Sequence, residues 1–208
     1  RIRQAAEEHG VPVVSAVVAG NGFRSVAAKG LAGGVWQNTG RSVEIRDPYR
    51  GEVVGTAPVS SKSDLDAALD AAVQAREKAA AMPGYERAAL LRRIAALIER
   101  DVKSLAELMT RETGKAIKDS EGEIRRSMET FALAAEEAIR IEGRHVPLDG
   151  SAMGAGQLAL LMPFPVGVVA AITPYNAPFN LASHKLAPSI AAGNTMVLKP
   201  PPQAPLIV

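Results

Sequence analysis

Side chains suited to polar chemistry gather toward the C-terminal end of this chain. Asn176 stands between two prolines in the string Thr173-Pro174-Tyr175-Asn176-Ala177-Pro178. A side-chain amide carries two donors and no charge, which suits an oxygen that becomes negative only in a transition state. Pro174 and Pro178 stiffen the loop, so that such an amide can be aimed in advance. The other reading is a turn asparagine bonding within its own loop, and by residue type alone that reading is the commoner. Lys185 lies in the apolar stretch that follows. A lysine held partly away from water can move protons, whereas one that snorkels to solvent merely packs its stem. Lys199 closes a second apolar run and is followed by Pro200-Pro201-Pro202.

The elements that must position these residues are legible around them. Residues 166–172 are small and β-branched apolar residues, the composition of a strand buried on both faces of a parallel sheet. Thr173-Pro174 ends it, because Pro174 has no N–H for the ladder. Leu181, Leu186, Ile190 and Ala191 mark a helix over about 180–192, stopped by Gly193-Asn194. Residues 195–198 read as another short buried strand. Strand, helix and strand make a βαβ unit, whose ligands sit beyond the carboxyl ends of the strands. Asn176 and Lys199 both fall there. His184 points about 100° from Lys185 on a helix and reads as a packing residue.

These strings together resemble the cofactor-binding segment of the NAD(P)-dependent aldehyde dehydrogenases. That family shows a Pro-x-Gly-Val strand, then Thr-Pro-aromatic-Asn-x-Pro, Lys-x-x-Pro-x-x-Ala-x-Gly-Asn and Lys-Pro. The chain matches at Thr173, Pro174, Tyr175, Asn176, Pro178, Lys185, Pro188, Ala191, Gly193, Asn194, Lys199 and Pro200. Matches at so many fixed spacings are far more specific than a lone glycine motif. The likeness extends more weakly back to about Gly33.

The resemblance implies roles for single residues. Asn176 would donate to the oxyanion formed when a cysteine thiolate adds to an aldehyde. Lys185 would support the general base through a charge relay, and Lys199 would contact the adenosine ribose of NAD or NADP. The main chain of Ile172 and Thr173, the ring of Tyr175, and Pro174, Pro200 and Pro202 would line the same cofactor cleft. Three departures stand out. Tyr175 replaces the more usual tryptophan, and Asp47 replaces the asparagine of an N-terminal Asn-Pro-x-x-Gly turn. Pro202 occupies the position where many NAD-preferring members carry a glutamate. The family's nucleophilic cysteine and general-base glutamate lie beyond the asparagine in sequence that is not here, and the chain has no cysteine.

Composition removes other classes. Without cysteine there is neither a disulfide frame nor a thiolate metal site. His9, His145 and His184 are too scattered for a helical metal pair, so no metal is expected. A net charge of +2, with only four Phe, three Tyr and one Trp, leaves no basic-aromatic surface for nucleic acid. No apolar run is long enough to cross a bilayer and no signal-peptide pattern opens the chain. The expectation is a cytoplasmic, soluble protein. Gly114-Lys115 lacks the flanking residues of a phosphate loop. The three prolines after Lys199 read as a rigid loop rather than a polyproline ligand.

Upstream, residues 1–32 are an unassigned extension, with a helix over 1–8, a strand over 11–18 and a turn at Gly20-Asn21-Gly22. Residues 33–142 form the N-terminal hairpin and helical part of a cofactor-binding domain. Within them, 43–46 and 53–57 flank the turn Asp47-Pro48-Tyr49-Arg50-Gly51. A first helix is capped by Ser63 with Asp66, carries Leu65, Ala68, Leu69, Ala72 and Val73 inward, and ends at Met82-Pro83-Gly84. A second holds Leu90 to Arg100, a third runs from Val102 to Gly114, and a fourth covers 117–141. Their charges read as solvated faces. Residues 143–163 form two strand-like runs, which the resemblance makes a protruding arm pairing with another subunit in a dimer or tetramer. Residues 164–208 begin the βαβ sheet. The fold class is therefore α/β: helices plus the start of a doubly wound, Rossmann-like parallel sheet with a β-hairpin arm.

Arg1 is not an initiator methionine and Leu206-Ile207-Val208 has no terminator, so the chain reads as the N-terminal part of a larger enzyme. That enzyme would oxidise an aldehyde to a carboxylic acid with NAD or NADP through a cysteine thiohemiacetal, and this part alone would be inactive. The alternatives are a related acyl-phosphate or acyl-thioester reductase and a non-catalytic assembly module.

Overall fold

Four helices and nine short strands make up the described residues, 26–37 and 40–208, of the computed structural model. The helix, strand and turn expected within residues 1–22 lie outside the described residues. Helix α1 (Lys62–Ala81) ends at Met82, where Pro83 cannot continue it. Its capping box is built by Ser61 and Asp64, not by Ser63 and Asp66. The Asp64 N–H donates to Ser61 Oγ at 3.2 Å, and the Ser61 N–H donates to Asp64 Oδ2 at 2.7 Å. Ser63 lies inside the first turn and shares only a hydroxyl bond with Ser61.

The second and third expected helices are one. Helix α2 (Gly84–Thr113) runs unbroken through Asp101 and Val102. No glycine or proline interrupts it there, and buried Ile98 and Val102 share one stripe. It stops at Gly114, whose φ of +75° is a left-handed cap. A Cβ at that glycine would sit 2.9 Å from Pro48 Cγ. Helix α3 (Ile117–Ala138) returns along α2. Thr110 and Ser120 hydroxyls meet near the connection, and Arg92 pairs with Glu136 at the far end. Between them Leu91, Leu108, Met109 and Ile124 are completely buried. Alanines such as Ala88, Ala106 and Ala135 let the helices approach closely. Ile139 and Ile141, expected to extend α3, are exposed beyond its end.

Strands β1 (Val26–Ala27), β4 (Ser42–Arg46) and β5 (Val53–Pro58) form one sheet. The β4–β5 hairpin is antiparallel, as expected, with an irregularity between Ile45 and Arg46. Asp47 Oδ1 shapes its turn by accepting from the Tyr49 and Arg50 N–H groups at 2.8 and 3.0 Å. These bonds hold the Asp47 carboxyl below its ordinary range. A second hairpin, β2 (Gly30–Ala32) with β3 (Val35–Gln37), spans the boundary expected at residue 33. Strands β6 (Arg144–Val146) and β7 (Ala159–Leu161) pair only with each other among the described residues.

Strands β8 (Val168–Ile172) and β9 (Thr195–Lys199) are parallel and joined by helix α4 (Pro178–Ala191), so the βαβ unit is present. Gly193, with φ +77°, supplies the expected stop after α4. Strand β8 is not buried on both faces. Of its residues only Ala171 is buried, while Ile172 is 68% exposed. A sheet of two strands has two open edges and cannot enclose its own C-terminal end. For the same reason α1 buries only Ala72 of its stripe, leaving Leu65, Leu69 and Val73 exposed. The Thr195 hydroxyl donates to the Ala72 carbonyl at 2.8 Å, which locks α1 to the start of β9.

One buried acid ties the helices to the chain after β9. Glu112, on the last turn of α2, accepts from the Leu206 and Ile207 N–H groups at 2.7 and 2.9 Å. Burial pushes its carboxyl up to about 7, against these two bonds, which favour the charged form. The folded chain therefore holds a proton that the unfolded chain releases near 4.5. Stability from this group is full below that value and is lost as pH rises to about 7. Urea titrations should show a fall on the order of 3 kcal/mol across this window. In Glu112→Gln that slope should be absent; an equal slope in both proteins would contradict the assignment.

Candidate functional site

The parallel register places Ile172 opposite Lys199 at the carboxyl end of the strand pair. Thr173, buried, reinforces this junction: its N–H and its hydroxyl both donate to the Lys199 carbonyl at 3.1 Å. The Thr173 N–H is thus committed inside the protein. Pro174, Tyr175 and Asn176 continue as an exposed loop into α4. Pro178 takes the first turn of that helix, where its missing N–H costs nothing.

The Asn176 side chain is exposed, and no hydrogen bond ties its amide to another described residue. It is not a turn asparagine bonding within its own loop. What is held is its backbone: the Asn176 carbonyl accepts from Lys115 Nζ at 3.2 Å. Lys199 is also exposed, with its ammonium 3.3 Å from the Pro200 carbonyl and no carboxylate partner among the described residues. Pro200 is half-buried, and Pro202 is exposed in a turn closed by the Ala204 N–H on the Pro201 carbonyl at 3.2 Å. That turn takes in Pro201 and Pro202, and Pro200 precedes it.

Lys185 does not join this group through any hydrogen bond. Half-buried, it reaches back to the Leu181 carbonyl of its own helix at 3.5 Å. His184, expected to pack, is exposed. It follows Ser183 on the buried side of α4, and one further helical step carries it to solvent.

Two residues beneath the loop escaped sequence reasoning. Glu123, on α3, is completely buried, and Lys115 follows the Gly114 cap of α2. Their side chains pair directly. Glu123 Oε1 also accepts from the Phe179 and Asn180 N–H groups, each at 3.1 Å. By sequence, Lys115 belongs only to an incomplete phosphate-loop motif and Glu123 only to a solvated helix face. A signal existed for the second: Ser120, Glu123, Ser127 and Phe131 lie at helical spacing on the buried side of α3.

An exposed ammonium with no carboxylate partner among the described residues, at the carboxyl end of a parallel strand pair, suits an anionic nucleotide. Among the described residues, no cluster of three or more His, Cys, Asp or Glu could hold a metal ion. No helix among them is long and apolar enough to cross a membrane.

Residues 35–208 match the sequence pattern of the Aldehyde dehydrogenase family. Aspartate-semialdehyde dehydrogenase 1 of Pseudomonas canavaninivorans is 40% identical over 164 residues, 79% of this chain and 35% of that protein. Aldehyde dehydrogenase 21 from Physcomitrella patens, solved with the reaction product succinate, superposes with a TM-score of 0.85. It is 38% identical, over 87% of this chain and 38% of that one. NADP-dependent glyceraldehyde-3-phosphate dehydrogenase from Bacillus halodurans C-125, solved with NADP, gives a TM-score of 0.84. Its identity is 34%, over 87% of this chain and 39% of that one. The chain thus spans little more than a third of the relatives it matches, and within that third it has the same mixed α/β arrangement. With this sequence match and this superposition, the chain belongs to the aldehyde dehydrogenase family.

Proposed function

We propose that this chain is the N-terminal part of an enzyme that oxidises an aldehyde to a carboxylic acid with NAD or NADP. The reading is supported by chain position: Lys199 closes β9 and Asn176 follows the paired end of β8, and both residues are exposed. Asn176 donates to the oxygen of the substrate as charge builds there, from a loop held in place before the substrate arrives. Lys199, with the main chain of Ile172 and Thr173, the ring of Tyr175, and Pro174, Pro200 and Pro202, lines the cofactor side. When bound, the nicotinamide supplies the hydride acceptor. Lys185 supports proton movement to the general base, from a half-buried position one turn beyond Leu181. This chain has no cysteine, so the nucleophile belongs to the remainder of the enzyme, and we assign the general-base glutamate there by the family resemblance. We place the enzyme in the cytoplasm as a homo-oligomer, a dimer or tetramer, that pairs through the β6–β7 arm. In its support, Leu158, Leu160, Leu161 and Met162 are all exposed on that arm, and a two-stranded ribbon gains stability from a partner sheet.

The 208-residue chain alone should not reduce NAD or NADP when given aldehydes. Aldehyde-dependent absorbance at the reduced-nicotinamide wavelength, from the purified chain, would overturn that expectation. In the complete enzyme, Asn176→Ala should lower kcat by about 10²–10³-fold, the usual loss on removing an oxyanion donor. Cofactor affinity should stay constant. A normal kcat with chemistry rate-limiting would remove Asn176 from the mechanism.

Cofactor choice follows from Pro202. It offers neither a carboxylate to bind ribose hydroxyls nor a charge to repel a 2′-phosphate. Lys199 is free to attract that phosphate as a point charge. The complete enzyme should therefore accept NADP at least as well as NAD. The NADP carried by the Bacillus halodurans relative agrees with this expectation. Pro202→Glu should shift kcat/KM toward NAD by roughly 1–3 kcal/mol, the scale of a charge-assisted bond. Strong NAD selectivity in the wild type, or an unchanged ratio in the variant, would assign discrimination to other residues.

A further inference from the structure

Ala177 is the N-cap of α4 and has no side-chain acceptor for the first N–H groups of the helix. A helix start normally finds such an acceptor in its own Ser, Thr, Asp or Asn. Here it comes from another helix, through the buried carboxylate of Glu123, which takes both the Phe179 and Asn180 N–H groups on Oε1. Its other oxygen, Oε2, pairs with Lys115 Nζ, and the same ammonium holds the Asn176 carbonyl at 3.2 Å. The charge of Glu123 faces the positive end of the α4 dipole and one ammonium, so the buried carboxylate is fully matched. The backbone of Asn176 is therefore gripped on both sides. Upstream, Thr173 is bonded to Lys199; downstream, Phe179 and Asn180 are bonded to Glu123; between them Lys115 holds the Asn176 carbonyl itself.

We propose that Lys115 and Glu123 are positioning residues for the Asn176 amide, setting its direction through the backbone without touching substrate. The proposal rests on the reading of Asn176 as the oxyanion donor. An amide aimed by a rigid backbone loses no energy to reorganisation as the oxyanion forms, whereas a loose loop would let it wander. A side chain swinging on a free loop has no such aim. Misplacement of a reacting or stabilising group by about 1 Å costs on the order of 10²-fold in rate.

The test is a coupling measurement in the complete enzyme, read as the single-turnover rate constant so that product release does not intrude. Lys115→Met/Glu123→Gln removes both charges together while leaving an amide oxygen to cap α4, so no lone charge stays buried. This pair variant should react about 10–10²-fold more slowly with unchanged cofactor affinity. In an Asn176→Ala background the same two replacements should cost nothing further, because they act only through Asn176. Equal losses in the two backgrounds, or no loss in the first, would overturn the positioning role. If Asn176→Ala is itself silent, the oxyanion reading fails first, which separates the two failures. Should the pair variant not fold, Glu123→Gln alone serves. It should give a smaller loss that again disappears in Asn176→Ala, and a loss that persists there overturns the proposal.

Discussion

The carboxylate of Glu123 is the interaction on which the loop between β8 and α4 depends. A helix start leaves several N–H groups without partners, and α4 begins with Ala177 and Pro178, which offer no cap of their own. Glu123 meets that need from α3 and, through Lys115, extends its hold to the loop between β8 and α4. Such a group cannot be lost halfway. Removing Lys115 alone would leave a buried charge with only helix N–H groups around it, and removing Glu123 alone would leave those N–H groups and a half-buried ammonium unmatched.

The long helices serve this arrangement. Helix α2 stays unbroken over its thirty residues and ends at Gly114 with a left-handed turn. That turn delivers Lys115 beneath the loop, while the tight alanine-lined contact between α2 and α3 sets the depth of Glu123. Gly114 also touches Pro48 of the β4–β5 turn, where a Cβ would come to 2.9 Å. Glu112, two residues before the same cap, binds the main chain at Leu206 and Ile207. Two acids on neighbouring helices thus anchor the chain at two points: Glu123 at the start of α4, inside the β8–α4–β9 unit, and Glu112 beyond β9.

The exposed apolar surface divides into places with distinct causes. On the β6–β7 arm, side chains such as Leu160 and Met162 stand free because the two strands pair only with each other among the described residues. On α1 and β8, Leu69, Val73 and Ile172 are uncovered because two parallel strands make too narrow a sheet to bury a whole helical stripe. An α/β sheet of this kind buries its strands when helices and further strands cover both faces.

The local elements, and the proline-flanked loop that carries Asn176, are legible in the amino-acid order. The Asp47–Gly51 hairpin, the break at Pro83, the βαβ unit with its glycine stop, and the placing of Asn176 and Lys199 at strand ends all follow from turn residues and periodicity. Those signals are local, as are the steric rules behind them. The same order misplaces what local rules leave open. Local rules put the cap at Ser63, two residues past Ser61, because several nearby residues can form the same box. They also split the unbroken run of α2, although no residue there breaks a helix, and enclose β8. Only the tertiary structure decided that Glu112 and Glu123 turn inward. A charged residue on a helix reads as solvated unless its partners are known, and here these partners are main-chain N–H groups some 56 and 94 residues away in the chain. Long-range pairing of a carboxylate with backbone leaves no periodic trace in the sequence, since the acceptor is a side chain and the donors belong to any residue but proline.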